Sequence, residues 1–225
     1  MRHINFYDDQ FTFNRERIIT LTNMMMEKSL SLTFNCVVRA EHIDIDLIRQ
    51  MKKAGCWMIG YGIESGSQRI LDGMKKNILI DDIQKAVEMT KKAGIEVTGH
   101  VIIGYPGETR DDIMETWRLV KNLDLDYIQV YCSVPFPGSY LYLYAKEKGW
   151  INSQDWTNFE QNFSVLDTPY ISAGEVMEFR EKMVKDFYFD IRRILKTLFK
   201  IRSPVEVFNL LGFSLRYFKS WVNKI

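Results

Sequence analysis

Three cysteines and three histidines are all that this 225-residue chain contains of those types, and each scarcity removes a class of function. Cys36, Cys56 and Cys132 lie too far apart for a C-x-x-C zinc or redox pair, and a scattered, odd-numbered set offers no disulfide framework. A reducing cytoplasm fits such usage. His3, His42 and His100 show no metal-ligand spacing, so no metal site is expected within the chain. No apolar run approaches the roughly 20 residues needed to cross a bilayer, and the start Met1-Arg2-His3-Ile4-Asn5-Phe6 lacks the apolar core of a signal peptide. Core material is plentiful, with 46% apolar and 13% aromatic residues, enough for one full domain with or without an appendage. The net charge of +1 hides an asymmetry: residues 191–225 carry eight Lys and Arg against one Glu, a net +7, which leaves −6 for residues 1–190.

From residue 4 to about residue 148 the patterns of strand and helix alternate with short connections, which predicts a parallel sheet. Strands are expected at Ile4–Tyr7, Leu32–Val38, Trp57–Tyr61, Val97–Ile103 and Tyr127–Ser133. Asn14 caps a helix running to about Lys28, and a second helix runs from Asp44 to Ala54. Lys-Lys-Ala-Gly closes amphipathic helices at Lys52–Gly55 and again at Lys91–Gly94. The lysines complement the negative end of the helix dipole, and glycine takes the left-handed position beyond the last turn. This recurrence marks a βα unit used serially. Residues 151–171 read as a connecting segment packed by its aromatic side chains, and 172–225 as a helical, basic tail. In the tail Ser172 and Glu175 form a capping box. Met183, Val184, Phe187, Ile191, Ile194, Leu195 and Leu198 then lie on one helical face, and a further helix starts at Ser203-Pro204.

Two turns stand where an apolar strand stops and a helix begins: Gly62-Ile63-Glu64-Ser65-Gly66-Ser67 and Gly104-Tyr105-Pro106-Gly107-Glu108-Thr109. Ligands of barrel-like and open α/β folds sit at such carboxyl ends of strands. Several segments occur in a linked order: Phe6 to Asn14, Arg39, Met51 to Cys56, the Gly62 turn followed by Ile70-Leu71 and Met74-Lys75-Lys76, the Gly104 turn, and Pro135 to Gly138. Over residues 4–150 this succession resembles the radical S-adenosylmethionine superfamily, in its cobalamin-associated and Elp-like branch. The resemblance implies a partial parallel (β/α) barrel of the TIM type, residues 1–150, followed by the helical tail. It also implies S-adenosylmethionine as cofactor, a 4Fe-4S cluster in the complete protein, and cobalamin through a further domain. One departure is large. The family's C-x-x-x-C-x-x-C loop follows the first barrel strand, and this chain opens at the second; Cys36, Cys56 and Cys132 cannot replace that loop, and they read as small core fillers.

What the resemblance implies for single positions stands beside plainer structural readings. Glu64 faces ribose hydroxyls or the sulfonium, or caps a helix; Ser65 either joins it or satisfies the turn backbone. Gly104, Pro106 and Gly107 leave room for an adenine edge to approach main chain, with Ile102 and Ile103 as the apolar side. Glu108 either joins the site or opens the helix after Thr109. Asp8 and Asp9 stand in for the segment that receives the methionyl ammonium, or are a solvated strand-end pair. Arg39 pairs with the methionyl carboxylate, or is an ordinary surface arginine. No catalytic residue is assigned. Tyr61, Tyr105, Tyr131 and Phe136 line a cavity or simply pack, and His100 reads as a satisfied core residue.

The expected function is therefore the C-terminal part of a radical S-adenosylmethionine enzyme core acting on an unknown small-molecule substrate and unable to run the reaction by itself. The alternatives are a catalytically silent S-adenosylmethionine-binding or assembly module, or an unrelated barrel enzyme using Glu64 and Glu108 as acid and base. A nucleic-acid partner is not expected. The tail either caps the barrel as a helical layer or serves membrane-surface or partner docking, and an exposed sheet edge predicts self-association and low stability.

Overall fold

A computed structural model describes residues 2–8 and 10–200, with the backbone alone for 196–200. Five strands, β1 (His3–Phe6), β2 (Thr33–Val38), β3 (Cys56–Glu64), β4 (Glu96–Ile103) and β5 (Tyr127–Cys132), form one sheet in sequence order. Every neighbouring pair is parallel, and the sheet curls into a half-barrel. Sequential parallel order requires each connection to cross the same face, so the helices lie together on the convex side. They are α1 (Arg15–Glu27), α2 (Ile45–Lys53), α3 (Gln68–Gly73) with α4 (Ile80–Lys92), and α5 (Arg110–Asn122). After β5 come α6 (Tyr140–Glu147), α7 (Ala173–Tyr188) and α8 (Ile191–Lys200).

Strand alternation divides the sheet into a sealed face and an open one. Phe34, Cys36, Val38, Ile59, Tyr61, Ile63, Val97, Val101, Ile103, Ile128, Val130 and Cys132 are buried. Tyr61 identifies theirs as the helix side, because its hydroxyl bonds Thr90 Oγ1 of α4 at 2.6 Å. The intervening residues, among them Asn5, Val37, Gly60, Gly62, Thr98, His100, Gln129 and Tyr131, belong to the concave face.

The stops and caps follow local rules. Asn14 Oδ1 accepts from the Arg17 N–H at 3.0 Å, and Asp44 accepts from Asp46 and Leu47. Gly55 has φ +103° and a Cβ there would lie 2.2 Å from the Leu32 carbonyl oxygen, so the first Lys-Lys-Ala-Gly stop admits only glycine. Residues 150–169 are irregular apart from one antiparallel bridge, Ile151 to Leu166, and one turn of 3-10 helix, Trp156–Asn158. Phe159 packs there with Val134 and Val165, and Trp156 lies 4.7 Å from Phe159 between ring centroids.

The two sheet edges differ. Outside β5, the Cys132 N–H donates to the Gln161 carbonyl at 2.8 Å and the Arg180 Nε donates to the Val130 carbonyl at 2.9 Å, so that edge is blunted. Among the described residues β1 has no strand on its outer side.

The chain has two compact units, Met1–Val184 and Lys185–Ile225. The expected Ser172–Glu175 box is present, with the Glu175 carboxylate accepting from the Ser172 N–H at 3.0 Å and Ser172 Oγ accepting from Glu175 N–H at 3.3 Å. The single apolar face expected from Met183 to Leu198 is not one helix. α7 ends at Tyr188, and Asp190 caps α8 by accepting from the Arg192 N–H at 2.9 Å. A capping carboxylate competes with helix continuation, which periodicity alone does not reveal. The helix expected at Ser203 lies outside the described residues.

Candidate functional site

The carboxyl end of β3 is bulged. Gly62 pairs with His100, but the next pairing joins Glu64 to Val101, so Ile63 is extra. A bulge re-aims the side chain that follows it. Glu64 takes φ +61°, an uncommon conformation for a residue with a Cβ, and its carboxylate folds back over Gly62. A Cβ at Gly62 would stand 2.7 Å from Glu64 Oε1, so glycine there makes the space. Glu64 Oε1 pairs with Lys76 Nζ at 2.6 Å, the acid being 12% exposed. Arg39 reaches the same loop, donating to the Lys76 carbonyl at 2.5 Å and pairing with Glu41. Arg39 thus secures the loop that brings Lys76 to Glu64.

At the end of β4 the chain turns at Gly104, φ +81°, and again at Gly107, φ +86°. Glu108 is fully buried and Oε2 accepts from the Gly104 N–H and, at 3.2 Å, the Tyr105 N–H. Burial pushes its acid up to about 8 against the pull of those two bonds, so at neutral pH the neutral carboxyl braces the turn. Its Oε1 has no partner. Tyr105, Pro106 and Gly107 remain partly open, and a Cβ on Gly107 would meet nothing within 4 Å, so main chain is approachable there.

The two turns are tied together. Ser67 Oγ donates to Asp112 Oδ1 at 2.7 Å and the Gly66 N–H donates to Thr116 Oγ1 at 2.8 Å. Arg69 pairs with Asp112 and donates to the Gly107 carbonyl at 3.0 Å. Tyr105 OH donates to the Gly73 carbonyl at 3.1 Å. Burial would raise the Asp112 acid, but bonds from Thr109, Ser67 and Arg69 outweigh that and hold it at about 2. Glu64 and the Gly104 bend therefore share one rim of the half-barrel.

Below that rim lies the concave sheet. His100 carries a buried Nε2 without a hydrogen-bond partner, so it is not the satisfied core residue expected. A Cβ at Gly60 would lie 2.8 Å from that nitrogen; glycine lets the imidazole lie across β3. Burial pushes the His100 ring down and Glu64 pulls it back. The Tyr131 ring runs nearly parallel at 6.0 Å between centroids, and its hydroxyl bonds Gln129.

The remaining candidates are dispersed or turned away. Ser65 is buried, its Oγ 3.2 Å from Thr116 Oγ1 and accepting from the Ser67 N–H. Ile103 lies on the helix face, whereas Ile102 lies on the concave one and is half-buried. Asp8 accepts from the Gln10 N–H at 3.2 Å and pairs with Arg17 at 2.9 Å. Asp9 lies outside the described residues. Lys76 and Asp112 were not among the expected site residues. Asp112 is legible as the third helical residue after the Thr109 cap, the capping-box spacing. Lys76 belongs to the Met74-Lys75-Lys76 segment of the resemblance, but its pairing with Glu64 is not legible there; its loop contains two left-handed residues, Lys75 and Asn77.

The cysteines do not fit an iron–sulfur cluster. All three are buried on different strands. The Cys36 thiol is pushed well up by its hydrogen bond with Cys56 and by burial, and burial takes Cys132 to about 11, whereas cluster ligands are thiolates. Among the described residues no three His, Cys, Asp or Glu side chains are grouped to hold a metal ion.

An uncharacterized methyltransferase of Pyrococcus horikoshii is 29% identical over 200 residues, covering 89% of this chain and 44% of the relative. The bacteriochlorophyllide d C-8(2)-methyltransferase of Chlorobaculum tepidum is 22% identical over 212 residues, covering 92% and 46%. The chain thus spans less than half the length of either. In structure it is similar to the radical S-adenosylmethionine methyltransferase TsrM of Kitasatospora setae, solved with cobalamin and a [4Fe-4S] cluster, at a TM-score of 0.59 and 16% identity over 84% of this chain and 38% of that one. The family model described as the radical SAM superfamily matches residues 2–120, from β1 through both tied turns, and the chain belongs to that superfamily.

Proposed function

We propose that this chain is the C-terminal part of a radical S-adenosylmethionine enzyme core, holding the adenosyl end of the cofactor at the tied turns and the substrate against the concave sheet. The observation that carries this reading is that Asp112 and Thr116 of α5 fasten the Gly62–Ser67 turn, while Arg69, paired with the same Asp112, reaches the Gly107 carbonyl, which sets the two turns side by side with Glu64 on the shared rim. Adenosyl sulfonium needs a carboxylate, approachable main chain and an apolar slot. Glu64 supplies the first, Tyr105 to Gly107 the second, beyond the buried Gly104, and Ile102 the third. Glu108 and Ser65 brace the turns, Arg39 and Lys76 position Glu64, and His100 and Tyr131 face the substrate. S-adenosylmethionine supplies a 5′-deoxyadenosyl radical or a methyl group in such enzymes. Reduction is not assigned to this chain, whose cysteines do not fit the cluster. Cobalamin belongs to the same proposal, through a domain outside these residues.

Calorimetry with S-adenosylmethionine tests the reading. Binding that Glu64→Ala weakens about ten- to hundredfold, the loss expected for a hydrogen bond to a charged group, supports a retained pocket. No binding by the wild-type chain leaves only the scaffold. The misfit of the cysteines favours a second reading, a catalytically silent S-adenosylmethionine-binding or assembly module. Anaerobic reconstitution with iron and sulfide separates the two: 5′-deoxyadenosine formed by this chain would contradict both the silent module and the missing-cluster account.

A further inference from the structure

The unit Lys185–Ile225 presents apolar side chains that its own helix does not cover. Ile191 is 64% exposed and Leu195 46%, and Phe189, just before α8, is 61% exposed. In the sequence of α8, Ile191, Ile194, Leu195 and Leu198 recur at i, i+3, i+4 and i+7, one stripe of a helix. The same ten residues contain Arg192, Arg193, Lys196 and Lys200 and no acid. Toward Ile225 the sequence adds Arg202, Arg216, Lys219 and Lys224 against Glu206 alone, together with Tyr217 and Trp221.

Charge selects the occupant. Four cations in the ten residues of α8 do not suit the apolar core of a bilayer, and no helix among the described residues is long and apolar enough to cross a membrane. An apolar stripe beside cations suits the plane of an interface. A protein groove would take the apolar stripe but has no use for a run of eight cations and one acid, whereas an anionic lipid surface attracts each cation without a fixed geometry. Tyr and Trp favour the same interface.

We propose that α8 docks on an anionic bilayer surface, with Ile191 and Leu195 entering the headgroup boundary and the Lys and Arg of its sequence attracted to lipid phosphate and carboxylate groups. The proposal does not depend on cofactor binding by the half-barrel. Flotation of the full chain with vesicles of phosphatidylcholine, alone or mixed with phosphatidylserine, tests it. Binding is expected only to the mixed vesicles and is expected to fall with added salt. Lys196→Gln with Lys200→Gln should weaken it about 25-fold, roughly fivefold per charge. Ile191→Asp with Leu195→Asp should abolish it. Arg192 and Arg193 are left intact, because Arg192 pairs with Asp190 and Arg193 sits 3.7 Å over the Phe187 ring. Equal binding to both vesicle types, binding to neither, or binding indifferent to salt and to the lysine variant would overturn the proposal. The wild-type lipid and salt comparisons decide it even if the aspartate variant fails to fold.

Discussion

Ser67 and Asp112, 45 residues apart, share a buried 2.7 Å hydrogen bond that fastens the turn after β3 to the first turn of α5. Asp112 also accepts from the Thr109 N–H at 2.8 Å and pairs with Arg69. One carboxylate thus closes a helix cap and joins the two loops that carry the proposed site.

Replacing Asp112 with Ala should destabilise the protein by about 2–4 kcal/mol, combining a lost cap with a buried Ser67 hydroxyl left unpaired. Urea melts measure this. Asp112 is held at about 2 against an ordinary 3.8, so its contribution is present above pH 3.8 and is lost as the pH falls toward 2. The variant should therefore show a shallower acid limb than the wild type.

Glu108 has the opposite sign. Its folded acid is raised to about 8 from 4.5 by burial, so the unfolded chain releases this proton first as pH rises. Stability associated with it is complete below pH 4.5 and is lost between there and about 8. Glu108→Gln stays neutral and keeps an oxygen for the Gly104 and Tyr105 N–H groups. Denaturation midpoints at pH 5 and pH 8 should differ less in Glu108→Gln than in wild type, and equal slopes would exclude a neutral, buried carboxyl.

Two glycines at the site should respond differently to alanine. At Gly66 a Cβ would lie 2.5 Å from Thr116 Cα and 2.7 Å from the Glu115 carbonyl oxygen, backbone that cannot step aside. Gly66→Ala should cost about 3 kcal/mol or more. At Gly107, φ +86°, nothing lies within 4 Å, so alanine pays only the left-handed penalty of about 1–2 kcal/mol. Thermal melts of the pair test the close approach of β3 turn and α5.

His100 should titrate below its ordinary 6.5, since burial outweighs the attraction of Glu64. Glu64→Gln removes that attraction and should lower the ring further. Nitrogen-15 NMR of the imidazole follows both. An upward shift in the variant would mean that Glu64 does not act on His100.

Much of the fold is legible without coordinates because it rests on short-range physics. Alternating apolar strands and amphipathic helices imply parallel βα units, and a glycine after two lysines stops a helix whatever surrounds it. Caps such as Asn14, Asp44 and Ser172 with Glu175 act over three residues, so they survive in any fold that keeps the helix. The Gly62 and Gly104 turns announce themselves through glycine beside a strand end. Tertiary structure alone decides what those turns do: the bulge that swings Glu64 over Gly62, the arrival of Lys76 beside it, the direction of Ser65 into the core, and the lone Nε2 of His100 over Gly60. Each depends on which distant backbone lies opposite, and a strand pattern carries no register. The tail shows the same division, since its apolar repeat was readable but the break at Asp190 depends on a carboxylate choosing to cap one helix rather than continue another.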